Sequence, residues 1–228
     1  MATFVTDSID SLKVLTATTD AWQLVFQDPE FLVVNKPAML LTVPGRHPDN
    51  FDCLVSRVQQ DFPTAQVVHR LDYDTSGLVI LPLSKAALSH ISKQFQARTV
   101  HKQYQALVQG QFAQDHGSID LPIAADPDRR PLYKICQATG KASLTHFQLL
   151  DFDQARHLSR LLLSPVTGRS HQLRVHLLSQ GHPIIGDTLY GDTVNQALSP
   201  RLCLHAVSIE FCHPKTNKLL RFETAAPF

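Results

Sequence analysis

The sequence predicts an α/β (α+β) fold built on a mixed, largely antiparallel sheet. Three observations carry that reading. Strand-like runs outnumber helical ones along the 228 residues. Most of them are joined by short turns containing Pro, Gly, Asp or Asn. Regular strand–helix–strand alternation, the mark of a parallel sheet, is absent.

The elements follow in order. Residues 1–20 are polar and threonine-rich, without a cationic start and apolar core, so they read as a flexible arm and not a signal peptide. Residues 23–26 and 31–34 read as strands around an Asp28-Pro29 turn, with Asn35-Lys36-Pro37 closing the second. Residues 44–48 are loop, and residues 51–61 suit a helix that ends before Pro63. The polar, glycine-closed stretch 69–77 feeds an apolar run, Leu78-Val79-Ile80-Leu81, which reads as a buried strand. Ser84 caps a helix to about Arg98, with Leu88, Ile91 and Phe95 on one face. Residues 102–108 alternate, placing Tyr104, Ala106 and Val108 on one side of a strand. Residues 110–140 are rich in Pro, Asp, Arg and Gly and read as excursions over the surface. Residues 144–150 and 158–163 are strands, Ser170 caps a helix over 172–180, and residues 202–211 form a last strand.

Composition narrows the function classes. With 43% hydrophobic and 18% charged residues, the chain is neither disordered nor a coiled coil. No internal repeat appears, and 228 residues fit one domain, or one catalytic domain in two lobes. A net charge of +1 announces no polyanionic partner, although a local basic groove suffices for one. The four cysteines include no Cys-x-x-Cys pair, which points to reduced thiols in a cytoplasmic protein and away from structural zinc. No apolar run reaches the length of about 20 residues that a membrane helix needs.

Three segments carry candidate chemistry. Asp72 and Asp74 lie two residues apart in a polar turn. They are either turn caps or groups for acid–base work. A likeness of Asp74-Thr75-Ser76-Gly77 to an aspartic-protease turn is weak, since the motif is one residue too long and has no second copy. The stretch from Thr167 to His176 sets a turn glycine, Arg169 and Ser170 before a helix, which favours an anion or is simply a solvated basic helix start. His171 and His176, five apart, do not share a helix face as metal ligands would. Tyr104, beside His101 and Lys102, suits stacking on a base next to a phosphate, or is a half-buried core residue. Arg46, Arg129 and Arg130 add local positive charge.

Together these segments resemble the RluA family of pseudouridine synthases. The likeness runs in order through Val34-Asn35-Lys36-Pro37, His69-Arg70-Leu71-Asp72 with Thr75-Ser76-Gly77, and Lys102-Gln103-Tyr104. It continues through Thr167-Gly168-Arg169-Ser170-His171-Gln172-Leu173-Arg174, Gly186-Asp187 with Tyr190-Gly191, Leu204-His205-Ala206 and His213-Pro214. Val43-Pro44-Gly45-Arg46, Asp120-Leu121-Pro122-Ile123 and Asp128-Arg129-Arg130-Pro131 are similar to the short RluA branch.

The resemblance implies a pseudouridine synthase fold, with two lobes flanked by helices and a central cleft. It implies isomerisation of uridine in RNA to pseudouridine, without cofactor or metal. Asp72 matches the essential aspartate, and Arg70 the residue that enters the space left by the flipped base. Tyr104 matches the aromatic that stacks on that base, Arg169 the arginine that pairs with the catalytic carboxylate, and Leu173 the apolar residue beneath the site. His69 and Thr75-Ser76-Gly77 shape the RNA-facing loop, and Lys36 is structural. Arg46, Arg129 and Arg130 are expected at the RNA rim. The implied partner is a stem-loop of large-subunit (23S) ribosomal RNA and the anticodon arm of transfer RNA. The enzyme is expected to be a monomer without an accessory N-terminal RNA-binding domain. The competing readings are a catalytically inactive RNA-binding protein or RNA chaperone, and a hydrolase using Asp72 and Asp74 as a pair.

Overall fold

The computed structural model describes residues 13–228. Its main sheet runs in the order β1 (Gln23–Gln27), β2 (Phe31–Lys36), β3 (Ser76–Pro82), β10 (Leu204–Cys212), β4 (His101–Gln109), β9 (Leu158–Pro165), β8 (Leu144–Asp153) and β5 (His116–Asp120). β11 (Leu219–Glu223) pairs with the far end of β10. Among the named strands of the described residues every pairing is antiparallel except β3 with β10, where Ser76 faces His205 and Gly77 faces Ala206. A short hairpin, β6 (Ile123–Ala125) with β7 (Tyr133–Ile135), stands off the main sheet. The strand-rich, mixed α/β reading holds.

The two halves of the sheet are buried differently, and their sequences show why. In β2 and β3 both faces are covered. Phe31, Val33, Leu78 and Ile80 pack on one side with Ile91 of α2 (Lys85–Ala97). Leu32, Val34, Val79 and Leu81 pack on the other with Leu54 and Val58 of α1 (Leu54–Val58). Such strands read as continuous apolar runs. The β9 strand is covered on one face: Leu161 and Leu163 join Leu173 and Leu177 of α3 (Gln172–Ser179), while Leu162 and Ser164 stay half-exposed. Tyr104 touches both clusters, so it sits where the two halves meet.

Several local expectations change. The helix expected over 51–61 is a 3-10 turn, Pro48–Phe51, followed by the short α1. The 110–140 excursion contains β5 and the β6–β7 hairpin, and α4 (Thr193–Ala197) and β11 join the elements read from the sequence. Ser84 caps α2 as expected, its hydroxyl accepting from Ala87 N–H at 3.1 Å. Ser170 does not cap α3. The residue before that helix is His171, in left-handed conformation at φ 54° with no side-chain cap. Residues 1–12 of the expected flexible arm lie outside the described residues, but 13–20 are fastened down. Leu15 N–H donates to Asn50 Oδ1, the Asn50 amide donates to Lys13 O, and the Tyr73 hydroxyl donates to Thr16 O.

Candidate active site

Four chain segments converge where the halves of the sheet meet. The loop before β3 brings His69, Arg70, Leu71 and Asp72. The start of β4 brings Lys102 and Tyr104. The turn before α3 brings Thr167, Gly168 and Arg169, and α3 itself brings Leu173 and Arg174. Together with Leu204 of β10 they line a cavity of about 270 Å³. Of the site residues expected from sequence, His69, Arg70, Asp72, Tyr104, Arg169 and Leu173 all line it. Arg46, Arg129 and Arg130 do not.

The loop is held by backbone-directed contacts. His69 Nε2 accepts from Ile80 N–H at 2.9 Å, and its ring stacks on Phe95 with centroids 4.8 Å apart. Burial pulls its pKa down to about 3, with Lys102 adding in the same direction. His69 is therefore a neutral loop anchor, and its imidazole carries no charge for RNA. Thr42 Oγ1 both donates to Leu71 O and accepts from Leu71 N–H. Gly77 has φ +118°, and a side chain there would strike the backbone of Ala206. Only glycine permits the loop to enter β3 at this point.

Beneath the loop lies Lys36, fully buried. Its ammonium donates to Pro37 O at 2.9 Å, Leu40 O at 2.7 Å and Tyr73 O at 3.4 Å. Burial pulls its pKa to about 7, opposed by the fields of Asp72 and Asp74. The Asn-Lys-Pro motif thus fixes the backbone beside Asp72 from below.

The two aspartates part company here. Asp74 pairs with Arg174 at 3.3 Å. Burial raises its pKa, and the Arg174 charge opposes that rise. The Asp72 carboxylate is half-buried, and no described residue hydrogen-bonds or ion-pairs with it. Its charge still acts on its surroundings. It holds the Tyr104 hydroxyl protonated beyond the usual range, after burial, and opposes the downward pull of burial on His171. A reacting carboxylate needs free lone pairs, and Asp72 has them.

Arg169 does not make the expected pair with Asp72. Its guanidinium reaches Ala142 O at 3.4 Å, while its N–H donates to Gln172 Oε1. The physical reason is its place in an open turn that the Gln172 side chain closes: Thr167 Oγ1 also bonds Gln172 Oε1 at 2.8 Å. The arginine that serves the carboxylates is Arg174, one helical turn inward and 1% exposed. Its Nε and Nη2 grip both oxygens of Asp187, at 2.8 and 2.5 Å. Burial pulls its pKa down, but the hydrogen bonds and charge of Asp187, with Asp74 and Asp72, more than reverse that. Sequence reading overlooked Arg174 because charge in a helix usually faces water. Its signal was the partner motif Gly186-Asp187, whose second residue is also buried.

His171 and Tyr190 complete the site. Tyr133 N–H donates to the Tyr190 hydroxyl oxygen at 2.9 Å, and that oxygen lies 2.8 Å from His171 Nδ1. Burial pushes the Tyr190 hydroxyl up to about 12. The β6–β7 hairpin is thereby tied to the turn before α3. On that hairpin Arg129 pairs with Asp126 at 2.9 Å, alongside Lys134 at 3.1 Å.

Residues 30–179 match the family model of RNA pseudouridylate synthase. The chain is 47% identical over 205 residues to the dual-specificity RNA pseudouridine synthase RluA of Yersinia pestis, covering 90% of this chain and 99% of that one. The RluA of Escherichia coli strain K12 is 42% identical, with 90% and 93% covered. Among solved structures, human RNA pseudouridylate synthase domain containing 1 superposes with a TM-score of 0.78 at 31% identity, covering 93% of this chain and 86% of that one.

Proposed function

The chain belongs to the RNA pseudouridylate synthase family, and from that premise we propose that Asp72 is its catalytic carboxylate and that a stem-loop of 23S ribosomal RNA and the anticodon arm of transfer RNA are its substrates. The enzyme is an isomerase acting on RNA. In this reaction the uracil ring is detached from C1′ of its ribose, turned, and rejoined through a ring carbon, with no atom gained or lost. The observation that carries the assignment is the uncommitted Asp72 carboxylate, in a cavity that also holds Tyr104 and Arg70.

The roles follow from the surroundings. The target uridine must leave its stack to reach Asp72. Arg70 is exposed and has no hydrogen-bond or ion-pair partner among the described residues, so it is free to fill the gap in the RNA. The Tyr104 ring, packed between the two halves of the core, offers a fixed face for the uracil. Leu173 forms the apolar floor. Arg174 orders the carboxylates without leaving the core. Asp72 acts on the ribose as nucleophile or as electrostatic partner while the base is detached.

Two RNA classes are proposed because the relatives named above are dual-specificity enzymes. With a net charge of only +1, the RNA is recognised by local cations and loop shape, not by a global field. We place the protein in the cytoplasm, as a monomer, with residues 21–228 as its catalytic domain. Chemical mapping of pseudouridine in ribosomal and transfer RNA from cells lacking and regaining the protein tests this reading. One new site in each class is expected. Unchanged uridine in both would support the catalytically inactive RNA-binding alternative.

A further inference from the structure

A second cavity, of about 310 Å³, meets the first at Asp72. The two share Arg70, Leu71, Asp72, His171 and Arg174 as a partition. We infer that the second cavity is a nucleotide subsite that receives the base adjoining the target uridine, with His171 as the hydrogen-bond donor between the two bases. This rests on the catalytic site proposed above.

The walls fit one flat, uncharged ring. Leu15, Leu41, Val43, Pro131 and Leu189 supply apolar faces, and Tyr73 adds an aromatic one. The volume is near the lower end of small-molecule sites, roughly 300 Å³. The charged groups in the lining are Lys13, Arg70, Asp72, Asp74 and Arg174, besides His171. Of these, Asp74 and Arg174 satisfy each other. The fastened segment that begins at Lys13 forms one wall and gives it rigidity.

The expected RNA-rim arginines do not line this cavity, but they sit on loops that do. Pro131 lies next to Arg130, and Val43 lies three residues before Arg46. The loops that carry these cations therefore build the second cavity and not the first. Cations around an apolar slot are what a base with its flanking phosphates requires.

His171 can carry its proton toward the cavities. The Tyr190 hydroxyl, which accepts from Tyr133 N–H, lies 2.8 Å from His171 Nδ1 and can donate to it. In that tautomer the imidazole proton sits on Nε2, which has no partner among the described residues. Burial favours this neutral form. The left-handed backbone at His171 holds the ring in both cavity walls at once. An N–H donor between two adjoining base slots suits an oxygen of the phosphodiester that joins the two nucleotides.

The test uses stem-loops copied from an RNA the enzyme is shown to modify, so a wrong RNA class would appear as absent modification before the subsite is read. Each stem-loop is made intact or with an abasic ribose immediately 5′ or 3′ of the target. With unaltered protein, one abasic position should weaken binding about tenfold. Leu189→Trp and Val43→Trp, which fill the slot, should each weaken binding of intact RNA about tenfold and of that abasic RNA less than about twofold. Equal binding of all three RNAs by the unaltered protein, or an equal loss on every RNA in the variants, would overturn the subsite. The abasic series alone decides the matter if neither variant folds.

Discussion

The loop before β3 and the turn before α3 meet at one cleft, yet they dispose of their charges in opposite ways. In the loop, the Asp72 carboxylate and the Arg70 guanidinium have no hydrogen-bond or ion-pair partner among the described residues. Beyond the turn, Arg174 is saturated by Asp187 and Asp74, and Asp187 accepts further from Leu189 and Tyr190 N–H. The groups proposed to react or to reach RNA are left free, and the groups that hold the site are paired to capacity. The free groups are kept in place by contacts to the backbone: the neutral His69 ring, the Thr42 hydroxyl and the Lys36 ammonium on carbonyls.

That contrast is broken most directly at the aspartates. Asp72→Asn should abolish pseudouridine formation while leaving the melting temperature nearly unchanged, because its carboxylate supports no ion pair. Asp74→Asn should retain turnover and lower stability, because it removes a partner of a buried arginine. A hydrolase-like pair would instead lose activity equally in both variants. Rates on a cognate stem-loop, read beside thermal unfolding, separate the outcomes.

Arg174→Met should destabilise the fold far more than the loss of its neighbour Arg169. It leaves Asp187, 1% exposed, without its counter-ion, a change that costs about 3–5 kcal/mol. Arg169→Ala should cost less than about 1 kcal/mol, since its one side-chain hydrogen bond among the described residues is long and at a half-exposed position. Urea unfolding of the two variants measures the difference. An equal loss in both would mean that Arg169 carries structure after all.

Much of this was legible in the sequence. The continuous apolar runs of β2 and β3 and the alternation in β4 follow from which faces are covered. The segments that line the cleft were visible as motifs, because each joins a turn residue to a chemical group. Which arginine pairs inward was not legible. Arg169 and Arg174 belong to one motif, and only the register of α3 decides which faces the core. The hairpin β6–β7 was hidden for a related reason. Its strands have three residues each, too few for a period to emerge. The second cavity could not be read at all, since its walls come from six separate stretches of chain.

The uncharged supports give the smallest and most specific prediction. His69 and His205 are neutral in the fold, their pKa values pulled by burial to about 3 and about 4. Both lie below the ordinary histidine value of 6.5. Between those values the unfolded chain binds more protons than the folded one, so stability falls as pH falls. The contribution is fully present above about pH 6.5 and lost progressively towards pH 4 and then pH 3. By pH 5 each ring should have withdrawn about 1–2 kcal/mol relative to neutral pH. His69→Gln removes one of the two titrations, so its stability deficit should be largest at pH 7.5 and narrow on descent to pH 5. Urea unfolding of both proteins at the two pH values measures this. A deficit that widens on that descent would mean that the imidazole is protonated in the fold. The loop would then rest on a charge after all, and the contrast with the turn before α3 would fail at that point.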